Sequence, residues 1–199
     1  GGQIKLDGLA LNSLATKARG QKVSILFQQA QAPISTRAYD FVMSARHPWI
    51  SRWAGPTRDD QDIVVESLSQ MGVEALMHRD VDSLSGGERR RVELAATVAQ
   101  NAQTILLDEP VNHLDLHYQI NLLQGALKKW RAEGRAVVMV MHDLNLAIRF
   151  SDHLLCLCGD GSTLQGETSV VATTENLSTL LRYPLQELTL GDRSFFIPT

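Results

Sequence analysis

The run Thr104-Ile105-Leu106-Leu107-Asp108-Glu109-Pro110 decides the reading of this chain. It is an apolar strand that ends in two acids, and its neighbours make that end the carboxyl edge of a parallel sheet, where open α/β folds bind ligands. An acid at such an edge can hold Mg²⁺ on nucleotide phosphates, usually through water. A second acid beside it can orient and deprotonate an attacking water. An apolar strand ending in acid is common in itself, so a nucleotide site and a plain strand end both stay open here. The doublet followed by Pro110 favours the first.

Working outward, short β-branched or aliphatic runs recur at Lys22 to Phe27, Ala136 to Met141 and His153 to Leu157. Helical patterns lie between the later ones. Asp115 to Arg131 sets Leu116, Ile120, Leu123, Ala126 and Leu127 on one face, and Asp143 to Phe150 does the same with Leu144, Ala147 and Ile148. Strand, helix, strand, helix predicts a parallel α/β sheet. Residues 33–83 read differently. Helical patterns at Thr36 to Ser44 and Arg58 to Met71 flank the loop His47-Pro48-Trp49-Ile50-Ser51-Arg52-Trp53, which predicts a helical lobe. After the hairpin turn Gly159-Asp160-Gly161 a short tail carries one more helix, Thr174 to Arg182.

Upstream of the acidic strand, Leu84-Ser85-Gly86-Gly87-Glu88 opens a helix whose apolar positions are Val92, Leu94, Ala95, Ala96, Val98 and Ala99. Small residues at a helix N-terminus let backbone N–H groups and a hydroxyl approach an anion. Ser85 as N-cap with Glu88 as its capping-box partner explains the same residues, and both can hold together. Downstream, Val137-Val138-Met139-Val140-Met141-His142 brings a histidine to the end of another strand, on the edge that carries Asp108 and Glu109. A histidine after a strand is commonly structural, so the coincidence of the three edges is what counts.

Composition sets the outer bounds. A chain of 199 residues with 44% hydrophobic residues and a net charge of -3 can bury a core as one domain, or one domain with a lobe. It has no long basic run that would recruit nucleic acid. No stretch approaches the roughly 20 apolar residues that cross a bilayer, so a membrane role would come through a partner. Cys156 and Cys158 alternate onto one side of an apolar run, which predicts reduced thiols in or beside a core strand, as in a cytosolic protein, in preference to a metal or redox pair. His113 and His117 are spaced i, i+4 and could clasp a metal such as zinc, but no third ligand is evident.

Taken together these stretches resemble the ATP-binding-cassette (ABC) ATPases. Leu84 to Glu88 is similar to the ABC signature, Ile105 to Glu109 to Walker B, Asn112-His113-Leu114-Asp115 to the D-loop, His142 to the switch histidine, and Gln28 after Val23-Ser24-Ile25-Leu26-Phe27 to the Q-loop glutamine. Ser44-Ala45-Arg46-His47-Pro48 resembles a segment of importers for iron-siderophores, haem and cobalamin, with Ala45 where glycine is usual. The resemblance implies an α/β fold: a partial P-loop NTPase core with a mostly parallel sheet, plus a helical subdomain. It divides the chain into 1–32 (N-terminal β region and Q-loop), 33–83 (helical subdomain), 84–160 (ATPase core) and 161–199 (tail). It implies ATP and Mg²⁺ as ligands, with Asp108 organising the Mg²⁺ shell alongside Gln28, Glu109 as general base and His142 on the γ-phosphate. Ser85, Gly86, Gly87 and Glu88 would meet ATP held by the opposite subunit of a head-to-tail homodimer, with Asp115 across that interface. A permease would dock on the lobe near Arg46, His47 and Trp49, and a substrate-binding protein would take part indirectly. The subunit would then sit in the cytoplasm on the inner face of the membrane, without nucleic acid as a partner.

The motif G-x-x-x-x-G-K-S/T occurs nowhere, and no lysine follows a glycine. In the family that loop lies upstream of the point matching Gly1, and Gly1-Gly2-Gln3-Ile4 enters directly into a strand-and-turn pattern, so truncation is expected. These 199 residues alone are then expected to hold ATP poorly and to be marginally stable. Two other readings remain: a non-catalytic partner lending its signature helix to another ATPase, against which intact Glu109 and His142 argue, and a soluble ABC protein of translation or repair.

Overall fold

The computed structural model describes residues 2–28, 35–112, 114–191 and 193–199. They form two compact units, 1–140 and 141–199.

The first unit opens with the short hairpin β1 (Lys5–Leu6) and β2 (Leu9–Ala10), turned at Asp7 and Gly8, which both adopt positive φ. Helix α1 (Thr16–Lys22) runs directly into β3 (Val23–Leu26). Then come α2 (Ala38–Ser44), α3 (Arg58–Gln70), α4 (Gly86–Ala99) and β4 (Thr104–Asp108). The predicted helix from Asp115 is α5 (Leu116–Asn121) and α6 (Leu127–Ala132) joined by a π-type segment, Leu122–Ala126, which leads to β5 (Ala136–Val140). Strands β3, β4 and β5 form one parallel sheet in that order, so the acidic strand is central.

Register explains how the sheet holds its core. Ser24, Ile105 and Val137 lie abreast, as do Leu26, Leu107 and Met139, and these rows face the helices. Val64 and Leu68 of α3, Val92, Leu94 and Ala95 of α4, and Val42 of α2 complete the core. The alternate row, Ile25, Leu106 and Val138, lies on the other face. Ile25 is 46% exposed and Val138 58%. Parallel sheets are ordinarily covered on both faces, and this apolar row is the less covered of the two.

The helical lobe packs into the same core, and one buried ion pair pins it. Arg46, 5% exposed, donates from Nε to Asp60 Oδ1 at 2.9 Å and from Nη1 to the Ala99 carbonyl at 2.8 Å. Asp60 in turn caps α3, accepting from the Thr57 N–H and hydroxyl. Trp49 Nε1 donates to the Gln100 carbonyl at 2.6 Å. At Gly20 a Cβ would come within 2.7 Å of Pro48, so glycine there lets α1 meet the lobe. Arg46, expected at a docking surface, is turned inward. His47 stays exposed, and Trp53 is 94% exposed.

The second unit holds α7 (Leu144–Phe150), β6 (His153–Leu157), β7 (Thr163–Glu167), α8 (Thr168–Val171), α9 (Thr174–Leu181), β8 (Leu185–Leu190) and β9 (Arg193–Pro198). The expected parallel alternation stops at β5. Strand β6 pairs antiparallel with β7 across the Gly159-Asp160-Gly161 turn, because a connection this short cannot return a parallel strand. Leu177, Leu185 and Phe196 form its core, and Asn145 ties α7 to Phe196 through both backbone groups. Cys156 and Cys158 are free thiols, half-buried on one side as alternation predicted. Burial, helped by the neighbouring Cys158, pushes the Cys156 thiol above its usual range.

Candidate functional site

The carboxyl ends of β3, β4 and β5 meet where β4 delivers Asp108 and Glu109. Asp108 is half-buried, and among the described residues its carboxylate accepts no hydrogen bond. Glu109 is 6% exposed and adopts φ +47°, a left-handed conformation costing a β-carbon-bearing residue about 1–2 kcal/mol. Neighbouring groups offset that cost. The Glu109 N–H donates to the Val140 carbonyl at 3.1 Å, its carbonyl accepts from the Asn112 N–H at 3.2 Å, and Asn112 Nδ2 donates to Glu109 Oε2. One open carboxylate next to one enclosed and oriented carboxylate suits a hydrated cation at the first and proton transfer from water at the second.

The strongest polar contact beneath this edge comes from Arg90 of α4, 4% exposed. Nη2 donates to the Asp108 carbonyl at 2.7 Å and to the Glu109 carbonyl at 2.8 Å, and Nη1 donates to the Phe27 carbonyl at 2.6 Å. Nη1 also pairs with Glu93 Oε2 at 3.2 Å, which balances the buried charge. One guanidinium thus ties the ends of β3 and β4 to the first turns of α4.

At the start of α4 the predicted capping box is present. The Ser85 hydroxyl accepts from the Glu88 N–H at 3.3 Å, and Glu88 Oε2 accepts from the Ser85 N–H at 2.9 Å and the hydroxyl at 2.8 Å. The Ser85 N–H first, then its hydroxyl, hold the Glu88 carboxyl below the usual carboxylate range. The cap spends the Glu88 carboxylate within the chain. Gly86 is exposed, and a Cβ there would meet nothing within 4 Å, so no packing among the described residues demands glycine. An approaching outside group is a physical reason for its bareness.

Asp115 caps α5, accepting from the Tyr118 N–H at 3.1 Å, while Gln119 Nε2 donates to the Val111 and Leu114 carbonyls. His113, named both in the D-loop and as a metal candidate, lies outside the described residues, as does the segment from Gln29 to Ile34 that includes the expected start of the lobe. Gln28 is exposed one residue past the Phe27 carbonyl that Arg90 holds. His142 is exposed in the second unit, two residues after β5, and Asp143 caps the following helix. The edge therefore brings together Gln28, Asp108 and Glu109 as strand-end neighbours, with Ser85 to Glu88 opening the helix that Arg90 anchors one turn later.

Sequence reasoning missed Arg90, and it placed Asn112 in the D-loop without its contact to Glu109. Arg90 stands four residues before the buried Leu94 and seven before the buried Thr97, on the core face of α4, and that spacing was the available signal. The Asn112 contact itself left no signal in the sequence, because it depends on the left-handed turn at Glu109.

Comparison with known proteins agrees with this architecture. A family model described as "ABC transporter" matches residues 1–112. The petrobactin import ATP-binding protein FpuD of Bacillus anthracis is 35% identical over 93% of this chain and 68% of its own length. The achromobactin transport ATP-binding protein CbrD of Dickeya dadantii (strain 3937) is 36% identical over 83% of the chain and 61% of its own length. The chain thus spans 61% to 68% of the length of these two relatives. Among solved structures, the ATP-binding cassette MJ0796 in a dimeric post-hydrolysis state with ADP and Pi superposes with a TM-score of 0.72 at 27% identity, over 84% of this chain and 74% of that one. With more than half its length matched by the family model and a fold shared with a solved cassette, this chain belongs to the ABC transporter family, as an ATP-binding cassette domain.

Proposed function

We propose that this chain belongs to the ATP-binding and ATP-hydrolysing subunit of an importer for an iron-siderophore, haem or cobalamin, and that its 199 residues, which lack the G-x-x-x-x-G-K-S/T loop, do not turn over ATP by themselves. One observation carries the reading: Glu109 is enclosed and oriented beside an open Asp108 carboxylate at the carboxyl edge of the parallel sheet. The names of relatives that import petrobactin, achromobactin and hemin support the cargo class.

In this reading Asp108 and Gln28 would hold Mg²⁺, which would supply charge neutralisation for the ATP phosphates. The Glu109 carboxylate orients a water and takes its proton as the water oxygen bonds to the γ-phosphorus. The bond to the β–γ bridging oxygen breaks, and its electron pair leaves on ADP. His142 contacts the γ-phosphate. Ser85, Gly86 and Gly87 present the N-terminus of α4 to ATP held by a second copy arranged head to tail, with Asp115 in the interface, while the capping box keeps that helix end formed. Residues 33–83 form the lobe that docks on a transmembrane permease, through the exposed His47 and Trp53 in place of the buried Arg46. Residues 84–160 supply the ATPase core, and a substrate-binding protein delivers the cargo from outside. The subunit works at the cytoplasmic face of the membrane.

The test is hydrolysis by the full-length gene product assembled with its permease in vesicles. Cargo-loaded binding protein should raise ATP turnover severalfold, and Trp53→Ser should abolish that stimulation while leaving basal turnover in place. Turnover indifferent to permease and cargo would overturn the importer reading.

A further inference from the structure

We infer that Arg90 is a positioning residue that sets the backbone of Glu109, and this rests on the reading of Glu109 as the base. In a strand, successive carbonyls point to opposite sides. Here the Asp108 and Glu109 carbonyls both accept from one nitrogen, Nη2 of Arg90, at 2.7 and 2.8 Å. That convergence requires the left-handed turn at Glu109, where φ is +47°. Arg90 therefore holds the strained conformation in place, and the same turn puts the Glu109 side chain within reach of Asn112.

The second fork of the guanidinium reaches the Phe27 carbonyl at 2.6 Å, immediately before Gln28. Arg90 is also five residues from Ser85, on the first turns of the helix whose N-terminus meets the second copy's ATP in the proposed function. A shift of that helix moves the guanidinium, and with it the peptide carrying the base and the end of the strand carrying Gln28. Arg90 thus links the signature helix to the geometry of the base. A planar fork suits this task because its donors have fixed directions, whereas an ammonium cannot serve two strands in fixed directions at once. Arg90 Nε is buried without a hydrogen-bond partner, a cost accepted for the placement of the other two nitrogens.

The experiment measures steady-state ATP hydrolysis by the full-length gene product carrying Arg90→Met, Arg90→Lys, Glu109→Gln, and Arg90→Met with Glu109→Gln. Misplacing the base should lower kcat for Arg90→Met on the order of 10- to 100-fold and leave KM for ATP within about threefold. Arg90→Lys should recover part of that loss. Because Arg90 acts through Glu109, the double variant should hydrolyse no more slowly than Glu109→Gln alone. The inference is overturned if kcat of Arg90→Met matches the wild type, or if its loss recurs undiminished in the Glu109→Gln background. Full activity in Glu109→Gln itself would instead sink the assignment of the base. Should Arg90→Met fail to fold, Arg90→Gln takes its place in both comparisons, and failure of both to fold would show the residue to be structural and overturn the inference.

Discussion

Glu109→Gln in the full-length gene product should reduce ATP hydrolysis by roughly 10²- to 10⁴-fold while ATP binding is retained. The substitution changes one atom of the side chain and leaves its shape. An amide oxygen still accepts from Asn112 Nδ2, and the main-chain bonds to Val140, Asn112 and Arg90 do not involve the side chain. The left-handed turn therefore survives, and what disappears is the ability to take a proton from water. The expected loss corresponds to about 2.7–5.4 kcal/mol of transition-state stabilisation. Turnover by the purified variant, with equilibrium nucleotide binding measured in parallel, checks both halves. Hydrolysis at the wild-type rate would assign the base elsewhere.

Arg46→Met should destabilise the first unit by about 3–5 kcal/mol, a large share of the roughly 5–15 kcal/mol that holds a domain together. The methionine fills the space but leaves the Asp60 carboxylate buried without its cation and the Ala99 carbonyl without its donor. Urea unfolding at neutral pH measures the loss, and adding Asp60→Asn should restore part of it, since the stranded charge then goes too. Acid should reveal the same pair. Burial pushes the Asp60 carboxyl up, but the Thr57 N–H and hydroxyl together with Arg46 outweigh it and hold the group below its usual 3.8. A depressed native value means that the ion pair stabilises the fold above the unfolded carboxyl's range, and that this stability is lost as pH falls through the native value. Unfolding midpoints should therefore drop below about pH 4 in the wild type, and the slope there should flatten in Arg46→Met. Equal acid sensitivity in both proteins would count against the pair.

The central sheet was legible in the sequence because its strands announce themselves by composition. Thr104 to Leu107 and Ala136 to Met141 are apolar runs bounded by acid or histidine, and they pair in parallel as expected. Capping at Ser85 and Asp115 was legible because an oxygen-bearing side chain before a helical pattern satisfies free N–H groups. Other features depend on contacts distant in sequence. The burial of Arg46 requires Asp60 and Ala99 to meet it, and nothing in Arg46-His47-Pro48 alone distinguishes a buried arginine from one on a docking surface. Arg90 sits in the triplet Arg89-Arg90-Arg91, which reads as a solvated face until α4 is packed on the ends of β3 and β4. The antiparallel pairing of β6 with β7 was legible in the hairpin turn Gly159-Asp160-Gly161, whereas the apolar run His153 to Leu157 by itself fits the parallel alternation equally well because it does not state its partner's direction.

In the proposed function, Glu109 of one copy and the Ser85-Gly86-Gly87 helix end of another complete one ATP site. Sedimentation of the full-length Glu109→Gln variant reads this pairing, because a copy that binds ATP without hydrolysing it should accumulate the closed pair. With Mg²⁺ and ATP the variant should sediment as a dimer, with ADP as a monomer, and adding Gly86→Arg, at a position where none of the described residues obstructs a side chain, should leave it monomeric with either nucleotide. A single species in ATP and ADP alike, or a dimer that persists when Gly86 carries an arginine, would contradict the composite site.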